Sequence, residues 1–131
     1  MSKYSLILSP NVSRTNKIQI WELCVNGESV LYPFISKIQS EVTFESDLYG
    51  ALRILELAAD LVSLPKTKFR EIKGHKIKGK LYEAKYGAVR IYHFHEKHTG
   101  RIIILGGLKN DQDKDINSAV KTIKDYQNEN K

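Results

Sequence analysis

Residues 81–105 read LYEAKYGAVRIYHFHEKHTGRIIIL, and this stretch decides the fold. Three strand-like runs follow one another: Leu81 to Tyr86, Val89 to His95, and Ile102 to Leu105. Gly87-Ala88 makes a tight connection between the first two, and His98-Thr99-Gly100 separates the last two, so the spacing predicts two hairpins and an antiparallel meander. Side chains alternate across a strand, which puts Leu81, Glu83 and Lys85 on one face, opposite Tyr82, Ala84 and Tyr86. Arg90, Tyr92 and Phe94 likewise share a face, opposite Val89, Ile91, His93 and His95.

Downstream, Gly106-Gly107 ends the third strand. Asp113 or Asp115 can then cap a closing helix with the apolar stripe Ile116, Ala119, Val120, Ile123 and Tyr126. Upstream, a long helix is expected with Ser46 as cap and Asp47 in its first turn. Its stripe is Leu48, Ala51, Leu52, Leu55, Ala58, Ala59 and Val62, and Pro65 stops it. A shorter helix begins near Ser29, with Pro33 in its first turn. Lys17 to Val25 alternates with apolar groups on both sides, a strand covered on part of each face, and Asn26-Gly27 turns it. Tyr4 to Leu8 is a further short strand, and Ser9-Pro10 ends it. The order is strand, two helices, three or four antiparallel strands, helix. It predicts an α+β domain with helices mainly on one face of the sheet.

The chain of 131 residues is long enough for one domain with one core, spanning 1–131 with a short amino-terminal extension over about 1–16. A hydrophobic content of 41% with 27% charge suits a soluble protein. No apolar run approaches the roughly 20 residues needed to cross a bilayer, and MSKYSLILSP lacks a signal-peptide core, so the expected location is the cytoplasm. Cys24 is the single cysteine; it cannot close an internal disulfide and is expected to pack as a small apolar side chain.

The charge is local. Lys66 to Arg90 holds nine Lys or Arg against Glu71 and Glu83, a net +7 that exceeds the +6 of the whole chain. Its loop lysines Lys73, Lys76, Lys78 and Lys80, set among Gly74 and Gly79, suit a polyanion if they share one surface, and they are merely solvated if they do not.

Leu81-Tyr82-Glu83-Ala84-Lys85, then Val89-Arg90-Ile91-Tyr92-His93-Phe94, then Arg101 to Leu105 with Gly106-Gly107-Leu108-Lys109, then a helix with Ala119 and Asp125-Tyr126, resemble the RelE/ParE toxin superfamily in order and spacing. The HigB-like branch is the nearest, and Leu64-Pro65 before Phe69-Arg70-Glu71-Ile72-Lys73-Gly74 resembles that branch too. The resemblance covers about residues 17 to 127. It implies a RelE-like fold, a small antiparallel sheet with two amino-terminal helices on one face, a C-terminal helix, and a concave cationic face for RNA. It also implies the toxin of a type II toxin–antitoxin system that cleaves mRNA on the ribosome without metal or other cofactor. The partners it implies are a cognate antitoxin and mRNA on the ribosome, with no membrane.

Metal-free cleavage needs the 2′-hydroxyl to attack in line, cations on the phosphate oxygens, and a proton donor for the leaving 5′-oxygen. Arg90 occupies the family's arginine, and its planar fork suits a phosphate. Lys85 stands where the branch commonly has Arg, and Glu83 is expected to act as base or to orient Lys85. Lys109 matches the first residue of a basic pair, whereas Asn110 replaces the second, Asp111 and Asp113 follow, and Ile116 stands where some members have a catalytic tyrosine. Those departures keep a weakened or altered nuclease open. Arg90 could instead be a strand residue paired with Glu83.

His75, in the basic loop, can do acid or base work near neutrality, and HigB-like toxins are thought to use a histidine near there. His93, His95 and His98 superficially resemble a metal site, but strand parity turns Glu96 away from them, and half-buried strand positions are the expectation. Tyr86 is the aromatic most open to base stacking; Tyr82, Tyr92 and Phe94 are expected in the core. Two other functions share this fold: a ParE-like toxin acting on DNA gyrase, and a degenerate, non-catalytic binding protein.

Overall fold

A computed structural model describes residues 3–39 and 42–129. Strands β1 (Tyr4–Leu8), β2 (Ile20–Val25) and β3 (Glu28–Ser29) precede helices α1 (Leu31–Gln39) and α2 (Val42–Ala59). Strands β4 (Phe69–Ile72), β5 (Lys80–Tyr86), β6 (Val89–Glu96) and β7 (Gly100–Leu108) follow, and a 3-10 turn at Lys109–Asp111 leads into α3 (Gln112–Glu129).

This is the expected α+β class, with a larger sheet than expected. The strand order is β1-β2-β7-β6-β5-β4, with β3 on β2 off that path. The sheet is mixed, because β2 runs parallel to β7 with Ile20 beside Arg101. β4 forms inside the run that reads as basic loop, and its register sets Arg70 opposite Glu83 and Ile72 opposite Leu81. The amino-terminal extension contributes β1 as an edge strand. The buried Glu22 carboxylate helps fasten it, accepting from Ser9 and Asn11 of the extension and from Ser29 of β3.

The two amino-terminal helices share one face of the sheet, as expected, and α3 covers the other. Ala84, Val89, Ile91 and Ile103 pack with Leu31, Phe34 and Ile38 of α1 and with Leu48, Leu52 and Leu55 of α2. Leu81, Tyr92, Phe94, Ile102 and Ile104 pack with Ala119, Ile123 and Tyr126 of α3 on the other side. Both faces of the central strands are apolar, and one helical layer can cover only one of them. Gly106 and Gly107 lie within β7 instead of ending it. A Cβ at Gly106 would strike the Phe34 ring of α1, and one at Gly107 the Asp115 carboxylate of α3.

Helix α2 departs from expectation at both ends. It begins at Val42, so Ser46 lies within it, and the Asp47 carboxylate accepts from Ala88 N–H of the β5–β6 turn at 3.0 Å. It ends at Ala59, well before Pro65. Leu61 N–H donates to Ala58 and Val62 N–H to Leu57, both at 3.0 Å, which is a Schellman closure. Leu61 occupies the left-handed position of that closure at φ 64° and is 66% exposed. A side chain there costs free energy that glycine avoids, so Leu61→Gly should raise stability by roughly 0.5–1 kcal/mol. Urea unfolding checks this, and a lowered midpoint contradicts it. Cys24 is buried and unpaired, as expected of a small core side chain.

Candidate active site

β5 and β6 set Lys85 directly opposite Arg90 and Glu83 opposite Tyr92. By strand parity all four project from the face that carries α3, away from α1 and α2. β4 adds Arg70 from the next strand. Its Nε donates to Glu83 Oε1 at 2.7 Å, and its Nη2 lies 2.6 Å from the same oxygen. Gln112, at the start of α3, donates through Nε2 to both Glu83 oxygens at 2.9 and 3.0 Å. Lys85 Nζ stands 3.8 Å from Glu83 Oε1. Glu83 is fully buried, so its two oxygens are committed to these neighbours. A carboxylate held in this way is a positioning group and not a free base.

Arg90 is oriented by backbone. Its Nη1 donates to the carbonyls of Gly87 at 2.8 Å and Val89 at 3.0 Å, while its Nε is buried without a partner. The alternative pairing of Arg90 with Glu83 does not form, because Glu83 is taken by Arg70. Among the described residues, no carboxylate makes an ion pair with Arg90.

Burial holds the Lys85 ammonium below its ordinary pKa of 10.5; Glu83 pulls it back up, and Arg70 and Arg90 push it further down. Burial drives the Tyr92 phenol well above its usual range, with Glu83 and Asp115 adding to the effect. The Tyr92 hydroxyl, next to Glu83, has no partner among the described residues.

Lys109 stands at the same end of the sheet. Its N–H donates to Ala88 of the β5–β6 turn at 2.8 Å, and its side chain is exposed. Asn110, Asp111 and Asp113 are exposed beside it, and Ile116 packs into the α3 core.

The loop residues are elsewhere. Lys73, His75, Lys76 and Lys78 lie between β4 and β5, next to Lys80, and five residues of strand put Lys80 roughly 17 Å from Lys85. Lys76 and Lys78 line a cavity of about 680 Å³ with Lys97, Lys124 and Gln127 at the far end of α3. The Gln127 amide fastens that loop, donating to the Lys78 carbonyl at 2.8 Å and accepting its N–H at 3.3 Å. His75 Nδ1 accepts from Ile77 N–H at 3.4 Å within the loop. Tyr86 is on the opposite face from Arg90: its ring lies against Gly50 of α2, and Lys68 Nζ is 4.6 Å from the ring centre. The loop lysines, His75 and Tyr86 are therefore not brought together with Arg90. Arg70 and Gln112 stand beside Lys85 and Arg90 in their place.

No family model matches the chain, and neither a curated protein nor a solved structure matches it.

His93 is fully buried beside the Phe69–Tyr82 pair, its ring centre 5.5 Å from Phe69 and 5.7 Å from Tyr82, and both its nitrogens lack partners. Among the described residues, no three His, Cys, Asp or Glu side chains come together as metal ligands. Burial keeps His93 well below its ordinary 6.5, and Arg101 and His95 lower it further. The unfolded chain thus binds a proton that the folded one refuses. The stability is complete above about 6.5 and is lost as pH falls below it, at about 1.4 kcal/mol per pH unit. His93→Phe should remove that part of the slope, as read by urea unfolding across the acidic range. An unchanged slope contradicts it.

Proposed function

We propose that this chain is the toxin of a type II toxin–antitoxin system, a cytoplasmic endoribonuclease that cuts mRNA on the ribosome. The observation that carries this reading is Arg90 without a carboxylate partner, facing Lys85 across two strands, with Arg70 alongside. Among the described residues no helix is long and apolar enough to cross a membrane, which accords with a cytoplasmic target.

The chemistry follows from the side chains. The 2′-oxygen attacks the adjacent phosphorus and gives its proton to water, while the bond from phosphorus to the 5′-oxygen breaks. Arg90, which stays charged and keeps Nη2 uncommitted among the described residues, donates to an equatorial oxygen as negative charge builds. Lys85 supplies the proton to the leaving 5′-oxygen, and its lowered pKa makes it a better donor than an ordinary lysine. Glu83 orients Arg70 and Lys85. The products are a 2′,3′-cyclic phosphate and a 5′-hydroxyl.

Because Lys85 must be protonated to donate, cleavage should fall on the alkaline side at a pH below the ordinary lysine value. Lys85→Arg should abolish that limb along with most of the rate, and an alkaline limb that persists in Lys85→Arg contradicts the role. Primer extension on mRNA from cells briefly expressing the wild type beside Arg90→Ala tests the proposal as a whole. Gyrase inhibition with intact mRNA would select the ParE-like reading. The non-catalytic reading is favoured by Asn110 and by Ile116, whose side chain belongs to the core. It predicts harmless expression of a folded protein.

A further inference from the structure

β2 pairs with β7 only from Arg101 to Ile103. Beyond that point β3 folds back onto Cys24 and Val25 of β2. Among the described residues, no strand borders the remaining edge of β7, from Ile104 to Leu108. This edge lies at the bottom of an open groove. Ile104, Gly106 and Gly107 are buried, and the edge forms the floor of a cavity of about 520 Å³. Its walls are Val30, Pro33 and Phe34 on one side and Lys114, Asp115 and Thr122 of α3 on the other. A strand edge exposes alternate N–H and C=O groups, and buried backbone groups call for partners.

The geometry points to a strand-addition site: an extended segment of another polypeptide, alternating apolar and basic residues, pairs with Ile104–Leu108 between α1 and α3. The walls decide the occupant. They rise on both sides of one strand's edge, so a lone segment enters where the sheet of a second copy, with its own helices, does not. Apolar side chains would meet Val25, Val30 and Phe34. Basic ones would meet Glu28, Asp111 and Asp115, which outnumber Lys37 and Lys114 around the cavity. Burial raises the Asp115 carboxyl, Asp111 raises it further, and Lys114 and Lys37 lower it. Main-chain pairing supplies affinity in such a mode, and alternate side chains supply specificity. The inference is independent of the role proposed for Arg90, since none of the cavity's lining belongs to that cluster.

The test uses the full chain, isotopically labelled, with a capped peptide of alternating lysine and valine as probe. A second peptide has the same sequence with alternate backbone nitrogens methylated. The same segment is also joined to the amino terminus by a flexible Gly/Ser linker, which raises its local concentration to about the millimolar range. The expected result is shifted and exchange-protected amides at Ile104–Leu108 with the plain peptide. Affinity should fall about tenfold on methylation and about tenfold in Glu28→Lys/Asp111→Lys. Equal binding of the methylated peptide, no change at these amides even when tethered, or a dimer of the free chain pairing through this edge would each overturn it.

Discussion

Replacing Glu83 with alanine should destabilise the protein by roughly 2–3 kcal/mol, below the ~3–5 kcal/mol typical of breaking a fully buried ion pair, because the Arg70 side chain is 40% exposed and recovers some hydration. The carboxylate is the common acceptor for Arg70 and Gln112 and the nearest anion to Lys85. Without it, cations from neighbouring strands face each other across a buried gap, and the Gln112 amide loses the bond that ties α3 to β5. For a chain of this length that is a fall of roughly 6–15 °C in Tm. Glu83→Gln keeps the shape and an acceptor oxygen and should lose about half as much. The Lys85 pKa should fall further in both, since the one influence raising it is removed. A Glu83→Ala protein with unchanged Tm would mean that the cations are hydrated and that the carboxylate organises nothing.

Arg90→Ala should leave the fold intact and remove RNA cleavage. The side chain bonds only to carbonyls of its own hairpin, so its loss frees two acceptors near the surface and opens no core cavity. Its proposed work lies in the reaction. Removing a preoriented donor aimed at developing charge costs about 10²–10³ in rate. Arg90→Lys keeps the charge but has one nitrogen, which cannot both bond the Gly87 and Val89 carbonyls and reach the phosphate, so it should recover only a small part of that loss. A cleavage assay with purified protein at equal folded concentration separates the two variants, and full recovery by lysine would show that charge alone matters.

Much of the architecture was legible because it depends on local periodicity. The three strands of the meander, the α3 stripe through Ala119, Ile123 and Tyr126, and the apolar face of α2 all follow from spacing alone. The parity that places Lys85 and Arg90 on one face follows from spacing too. What spacing does not carry is which strand borders which. β4 is four residues long, with Arg70 and Glu71 at its centre, and becomes a strand only because β5 pairs with it. The Arg70–Glu83 pair is therefore absent from any local reading. The parallel contact of β2 with β7 is non-local in the same way. The start of α2 escapes a local reading because Ser46-Asp47 has the chemistry of a cap, yet the Asp47 carboxylate serves the β5–β6 turn. The basic loop misled for a different reason. Net charge has magnitude without direction, and the loop lysines leave β5 at its far end from Lys85.

The most direct test of the account is primer extension on mRNA from cells briefly expressing the wild-type chain and, in parallel, Arg90→Ala. Discrete A-site cuts are expected with the wild type, and none with Arg90→Ala at equal expression. The same cuts from both proteins, or growth arrest with every message intact, would contradict it.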